Sequence, residues 1–590
     1  MEIKSQAYNR NVAIYGFAVL VVAVLLTLPW LGLGHFYTRG EPREALVAVA
    51  MMEQGNYILP VFQGEIAFKP PMLHWLVSLF SLPQGYVSEY TARMPSAIAS
   101  IVMVFAFFVF YSRRVGYGKS LVASLLLITC FEVHRAAMTC RVDMVLMAFT
   151  VGSMMALSRW LENGCRRLPV LASLLASGAV LTKGPVGVIL PCFALVIYMV
   201  VRRERWNAIV IAALKFVALS AIVPLFWYVA AYMQGGDRFL QLVMEENFGR
   251  FLGKMSYESH ENGVFYNVEM LLAGLLPYTL LLVFGLFVVK WRKPDFGKNW
   301  LSRIWNRFCA IDNVRMFAII VAVCVFVFYC IPKSKRSVYL LPMYPFVALL
   351  LADYMAYLFR EKRKVLKVFF VTVASLGVVY SVGLIVLHNV DLGFLGDSRS
   401  ARRMIMQLTE LQRMPMSVYY VGVALLPLLV VAVLSPVLRR GKVLVPGGVA
   451  VWAAMTVTLD ALLNPAIKNS VPDFQFAQSV KVYEPDGSVY FYRPAGVKEE
   501  TVYTVAFYLD DKILNYTEGM PLPDRGYMML RESNKEKFIA AMQDYDLSEV
   551  VVTSSEFTSF RGNLSLFEFE KKENPDGDKK NIGDTLSPRG

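Results

Sequence analysis

Cysteine, histidine and charge are all scarce in this chain. Its 590 residues hold 7 cysteines and 5 histidines. The cysteines fall between Cys130 and Cys330 with no pair at metal-ligand spacing. That excludes a disulfide framework and a zinc site and leaves buried thiols as the reading. Charged residues make up 18% against 56% hydrophobic ones, and the mean hydropathy is +0.48. Such a chain is too apolar to fold as a soluble globule and too long for one domain. No small-residue cleavage site follows the apolar segment from Val12 to Leu33, so it reads as a first membrane helix, not a removed signal peptide. There is also no P-loop, no dinucleotide-type domain and no internal repeat of helices, which counts against an ATP-driven pump or a repeat-built transporter.

What is present is a series of apolar stretches long enough to cross ~30 Å of hydrocarbon, about 20 residues of helix each. They predict spans near 11–33, 93–112, 118–135, 143–160, 168–182, 185–201, 207–232, 267–289, 314–332, 337–358, 367–387, 416–437 and 443–463, thirteen in all. With the amino terminus in the cytoplasm, every second connection is cytoplasmic. These connections carry Arg113/Arg114/Lys119, Arg159/Arg166/Arg167, Arg202/Arg203/Arg205, the basic loop from Lys290 to Arg315, Arg360/Lys362/Arg363/Lys364/Lys367 and Arg439/Arg440/Lys442. All are basic, as the positive-inside rule requires. The net charge of +14 is thereby accounted for without nucleic acid. An odd number of spans places loops 34–92 and 233–266 and everything after residue 463 outside.

Residues 464–570 alternate apolar and polar, as from Ser488 to Tyr492 and from Tyr503 to Leu509, with a turn signal at Asp486-Gly487. A helical stretch near Lys535–Gln543 and a strand at Glu549–Thr553 make this an α/β soluble domain. Residues 571–590, rich in Lys, Asp, Asn and Gly, have the composition of a disordered tail.

Several cations fall on the outer side, where the rule expects few: Arg39, Arg43, Lys69, Arg93, Arg135, Arg141, Lys183, Arg250, Lys254, Lys333, Lys335 and Arg336. Singly, each reads equally as a side chain snorkelling to lipid phosphate or pairing with a neighbouring acid. As a set they point to a site for a phosphorylated substrate. The first outer loop holds Glu41, Arg43 and Glu44 just after the first span and Lys69 before two prolines, an acid and a cation at the membrane surface suited to acid–base work and phosphate neutralisation. The stretch Ala45–Gln54 is amphipathic and expected along the interface.

This loop resembles that of membrane glycosyltransferases related to protein O-mannosyltransferases and, more closely, to bacterial aminoarabinose (lipid A) transferases. Four further segments match in order: Arg141-Val-Asp143, LTKGPVG around Lys183, ENFGRFL from Glu246 with His260 following, and PKSKRSVYLLPMYP from Pro332 to Pro345. Together they cover residues 1 to about 460. The resemblance implies a polytopic α-helical GT-C fold over residues 1–463 and a polyprenyl-phosphate sugar as donor. It also implies an inverting transfer to a glycolipid or protein acceptor on the far side of a bacterial inner membrane. One departure stands out. Where the family carries an Asp-Glu pair this chain has Gly40-Glu41, so the catalytic acid falls to Glu41, with Asp143 as the alternative, or as a carboxylate that seats a helix end.

A lipid phosphate is already a good leaving group, and the protein must orient it, neutralise charge and exclude water. Lys69, Lys333, Lys335 and Arg336 are the first candidates for the phosphate, Arg250 and Lys183 the second. Arg43, His260 and Tyr339 are candidate contacts to sugar or phosphate, while Tyr344 reads by default as part of an interfacial aromatic belt. No cofactor is implied, and a divalent metal is left open. A lipid-linked-sugar flippase is the alternative from another class, and an assembly subunit without its own catalysis is a third.

Overall fold

The computed structural model describes residues 2–249, 262–288, 300–438, 444–486, 488–494, 502–559 and 562–572. Arg250, Lys254, His260, the basic stretch 289–299, Arg439/Arg440/Lys442 and the tail from residue 573 therefore lie outside the described residues. The chain divides into two compact units, Met1–Phe36 with Val47–Ser470, and Tyr37–Leu46 with Val471–Gly590.

Up to Ser470 helices follow one another as α1 (Glu2–Thr27), α2 (Gly40–Gln54, of which Gly40–Leu46 count with the second unit), α3 (Met72–Ser81), α4 (Glu89–Val115), α5 (Tyr117–Thr129), α6 (Phe131–Ala137), α7 (Val142–Glu162), α8 (Val170–Lys183), α9 (Val186–Val201) and α10 (Trp206–Met244). A short antiparallel pair, β1 (Val61–Phe62) and β2 (Glu65–Ile66), precedes α3. The series continues as α11 (Tyr266–Gly274), α12 (Tyr278–Leu286), α13 (Trp300–Cys309), α14 (Asn313–Cys330), α15 (Tyr344–Glu361), α16 (Arg363–Asn389), α17 (Arg399–Arg413), α18 (Val418–Ala424), α19 (Leu426–Leu438), α20 (Leu444–Thr458) and α21 (Asn464–Asn469). Among the described residues 8 helices are long and apolar enough to cross a membrane, or 11 when three bent pairs each count as one span. The expected spans 168–182 and 185–201 correspond to α8 and α9, which at 14 and 16 residues are shorter than a full crossing. The protein is a multi-pass membrane protein.

Local chemistry sets the helix ends. Ser88 caps α4 by accepting from the Thr91 N–H at 3.3 Å while Thr91 Oγ1 accepts from the Ser88 N–H at 3.0 Å, a reciprocal pair that satisfies two end donors. At the other end Arg113 and Arg114 lie in the last turn, opposite the partial negative charge of the helix terminus. The core between these helices is built from Phe107, Phe108, Tyr111, Phe317, Phe346 and Phe369, all buried.

Two expectations change. The stretch Ala45–Gln54 does not lie along a surface, because Ala45–Ala48, Ala50 and Met51 are buried. Within this stretch Glu53 and Gln54, at its end, are the exposed residues, and the alanines and apolar residues before them are taken into the core. Tyr344 is fully buried, not part of a surface belt, because Gly274 lets its hydroxyl approach so closely that a Cβ there would overlap it.

The second unit carries α22 (Asp473–Tyr483), β3 (Val489–Tyr492), α23 (Tyr503–Tyr508), β4 (Ile513–Tyr516), β5 (Arg525–Arg531), α24 (Lys535–Ala541), β6 (Tyr545–Val552) and β7 (Leu564–Lys571). The sheet order is β4-β3-β5-β7-β6, parallel across β4-β3-β5 and antiparallel across β5-β7-β6. Tyr492, Met528, Leu530, Phe538, Phe567 and Phe569 form its core. The alternating run from Tyr503 is a helix, not a strand. Residues Thr504–Tyr508 are all buried, so the alternation records no solvent face. Arg39 Nε donates to the Ser559 carbonyl at 3.4 Å, and Asp473 accepts from the Ser559 N–H at 2.9 Å. After Leu46 this unit resumes at Val471, and the helix before it runs on through a π-turn, Leu459–Leu463, into Asn464–Asn469.

Candidate functional site

The LTKGPVG segment turns back sharply, and its glycines explain how. Gly184 has φ +83°, and a Cβ there would stand 2.6 Å from Asn247 Oδ1, so the residue after Lys183 has to be glycine. A Cβ on Gly187 would meet the backbone of Ala179 and Val180 at 2.4–2.5 Å. Helices α8 and α9 thus pack backbone to backbone and present Lys183 at the apex between them. Its ammonium pairs with the Asp143 carboxylate in the first turn of α7 and lies 4.4 Å from the Tyr339 ring centroid. Arg141 and Arg336 also act on Asp143 electrostatically. Each charge of the pair suits its helix end, the acid at an N-terminus and the cation at a C-terminus.

The segment after α14 supplies the facing side. Lys333 is exposed, Lys335 is buried, and Arg336 is half-buried in extended conformation. A 3₁₀ turn, Ser337–Met343, then carries Tyr339, whose ring stacks obliquely on Tyr329 at 5.2 Å. Lys335 Nζ donates to the Asn262 carbonyl at 3.3 Å, and Asn262 Nδ2 donates back to the Lys335 carbonyl at 3.0 Å. No carboxylate is paired with Lys335 among the described residues. A buried ammonium satisfied by one neutral oxygen carries an uncompensated desolvation cost, which an anionic ligand relieves.

The structure thus gathers Asp143, Lys183 and Tyr339, with Arg141 and Arg336, in the first unit. Lys69, half-buried, follows the β1–β2 turn. Glu41 and Arg43 belong to the second unit, where Arg43 donates to Glu44 at 2.8 Å and both glutamates are buried. Arg250 and His260 lie outside the described residues.

Besides Arg39, Arg43 and Lys335, three more of the surplus cations have partners in the protein. Arg93 is wholly buried and donates to the carbonyls of Leu31, Gly34 and His35 at 2.6, 2.7 and 3.3 Å, capping the end of the first span. Arg135 forms a two-pronged pair with Glu132 at 2.9 and 2.7 Å and reaches Ser337 Oγ at 3.4 Å. Lys183 has Asp143.

Sequence reasoning missed a buried network. His134 Nε2 meets Asp460 Oδ2 at 2.5 Å, Asn464 Nδ2 donates to Asp460 Oδ1 at 2.7 Å, and His134 Nδ1 has no partner. The available signal was an aspartate inside an apolar span, which is costly unless paired. Among the described residues no group of three or more His, Cys, Asp or Glu is arranged to hold a metal ion.

Known proteins match this arrangement. The family described as dolichyl-phosphate-mannose-protein mannosyltransferase matches residues 68–228. A protein of Aquifex aeolicus is 27% identical over 351 residues, 57% of this chain and 63% of that protein. An undecaprenyl phosphate-alpha-4-amino-4-deoxy-L-arabinose arabinosyl transferase of Shewanella sediminis is 27% identical over 375 residues, 62% of this chain and 64% of its own length. The matches thus span less than two thirds of either relative. The crystal structure of ArnT from Cupriavidus metallidurans bound to undecaprenyl phosphate has a TM-score of 0.66 at 18% identity, covering 94% of this chain and 97% of that one. The chain therefore has the GT-C fold and resembles the membrane glycosyltransferases of the aminoarabinose-transferase and protein-mannosyltransferase type.

Proposed function

We propose that this protein is a glycosyltransferase of a bacterial inner membrane. It takes a sugar from a polyprenyl phosphate and gives it to an acceptor outside the cytoplasm, lipid A or a related glycolipid first and a protein hydroxyl second, with the carboxy-terminal domain on that outer side. The observation that carries this reading is the buried Lys335 ammonium with one carbonyl partner, set in a strip with Lys333, Arg336 and Tyr339. Such a strip suits a phosphate monoester or diester under a stacked sugar ring. The similarity to an arabinosyl transferase that uses undecaprenyl phosphate supports the donor class.

In this reading the leaving phosphate carries the developing negative charge, and fixed cations stabilise it most where water is excluded. Lys335, Arg336 and Lys69 take that role. Lys183, paired with Asp143, orients the strip through its contact with Tyr339. Glu41 acts as base if the acceptor is a hydroxyl, and positions the sugar if the acceptor is itself a phosphate.

The test is mass spectrometry of envelope lipids and of trypsin-digested envelope proteins from cells lacking the protein. The same cells are restored with the unaltered chain or with Lys335→Met, Lys69→Ala or Glu41→Gln. Loss of one sugar mass from a glycolipid, restored only by the unaltered chain, supports the reading and names the sugar. A lost mass on a glycopeptide moves the acceptor to protein. Full restoration by all three variants refutes the enzyme and favours a flippase.

A further inference from the structure

Away from this site, a groove of about 800 Å³ runs between α3, α4, α7 and α8, a volume in the range of ligand pockets. Its rim residues Val102 and Leu171 are 59% and 63% exposed, so the groove opens on the wall that meets the lipid. From Pro95 to Arg113, both of which line it, α4 rises ~27 Å at 1.5 Å per residue. The groove therefore follows most of the hydrocarbon thickness.

Its two ends differ. Towards the start of α4 the lining is Leu76, Phe80, Pro95 and Ile98, with no charge. Towards the end of α4 and α7 the lining includes Arg113, Arg114 and Arg159 and no acid. Arg114 is already engaged. It pairs with Glu162 at 2.9 and 2.5 Å and stacks 3.7 Å over the Phe110 ring, forming a floor. Arg113 and Arg159 are exposed and have no side-chain ion pair among the described residues. A long apolar channel closed at one end by two such guanidinium groups has the complementarity of an amphiphile with an anionic head.

We propose that this groove binds an anionic phospholipid from the leaflet on the Arg113 and Arg159 side, with its phosphate between the two arginines and an acyl chain lying along α4. The positive-inside pattern makes this the cytoplasmic leaflet. One leaflet is ~15 Å deep, half of ~30 Å, so the chain extends back about ten residues from Arg113 at 1.5 Å per residue, past Ala106 to the level of Met103. Ala99, some 21 Å from Arg113 on the same count, lies beyond its reach. The site is separate from the residues proposed for sugar transfer and does not depend on that reading.

The experiment is quantitative lipid extraction and native mass spectrometry of the full chain purified in mild detergent, with phosphatidylglycerol, phosphatidylethanolamine and polyprenyl phosphate as measured species. The unaltered chain is expected to retain phosphatidylglycerol over phosphatidylethanolamine. Arg113→Glu with Arg159→Glu should lower retention about tenfold or more, as expected for two lost charge-assisted hydrogen bonds. Arg113→Lys with Arg159→Lys should keep most of it. Ala106→Trp, which fills the near half, should displace the lipid, and Ala99→Trp should not. Equal retention after charge reversal, or equal retention of both phospholipids, overturns the proposal. So does equal loss with Ala99→Trp, or recovery of polyprenyl phosphate instead, either of which assigns the groove to a chain crossing both leaflets.

Discussion

Replacing the two members of the Asp143–Lys183 pair should cost unequal amounts, and the surroundings say which costs more. Asp143→Asn leaves the Lys183 ammonium beside Arg141 and Arg336 without a counter-charge among the described residues, with a neutral amide oxygen and the Tyr339 ring, at 4.4 Å, as partners. A cation–π contact is worth ~0.5–1 kcal/mol, while stripping the partner from a buried charge costs ~3–5 kcal/mol. Because the Lys183 side chain keeps 22% of its exposure, water screens part of this and the low end, about 3 kcal/mol, applies. Lys183→Met leaves Asp143 with Arg141 and Arg336 as substitute counter-charges, so about 1–2 kcal/mol is expected. The double variant removes both charges and should cost less than the two singles together, with a coupling of ~1–3 kcal/mol. Apparent melting in detergent, run beside a transfer assay with a polyprenyl-phosphate sugar, reads both stability and positioning. Equal losses for the two singles, or strict additivity in the double, would refute this account of the pair.

Lys335→Met should weaken binding of the polyprenyl-phosphate donor by roughly 10- to 100-fold, the value of one charge-assisted hydrogen bond at ~1.5–3 kcal/mol. Titration with the lipid phosphate alone checks this, and unchanged affinity rejects the phosphate role. His134→Ala should destabilise the membrane unit by about 3 kcal/mol or more, since Asp460 is then buried with Asn464 as its one side-chain hydrogen-bond partner among the described residues, whereas His134→Ala with Asp460→Leu should recover much of the loss in the same melting assay. In the carboxy-terminal domain burial pushes the Glu549 carboxyl up, but the hydrogen bond from Lys535 and its charge outweigh this and hold it below its ordinary value. A depressed carboxyl stabilises the fold above the ordinary glutamate pKa of about 4.3 and loses that contribution as the pH falls below it. Amide exchange along β6 and β7 should therefore rise below that pH in the unaltered chain. In Glu549→Gln the rise should be smaller, the pair contributing ~0.2–1 kcal/mol at this partly exposed site.

Hydrophobic length and the placement of lysine and arginine alone determined the membrane class and the approximate spans, because a chain in hydrocarbon has to satisfy its backbone within helices and its charges near the surface. The same local rules pointed to an α/β domain at the carboxy-terminal end, and the glycine and proline pattern of LTKGPVG and PKSKRSVYLLPMYP marked where helices break. Tertiary structure decided what a linear pattern leaves open, namely which charges face each other. Lys183 and Asp143 stand 40 residues apart in sequence and His134 and Asp460 326 apart, and no periodicity reports such separations. It also decided the sense of ambiguous runs. The alternation from Tyr503 became a helix because a segment buried on every side carries no polar face to set its period, and most of Ala45–Gln54 went into the core with polar exposure left to Glu53 and Gln54. Arg93 and Arg135, indistinguishable in sequence from Lys335, proved to be bound to carbonyls and to Glu132. Burial gives such cations their meaning, and burial is settled only when distant segments meet.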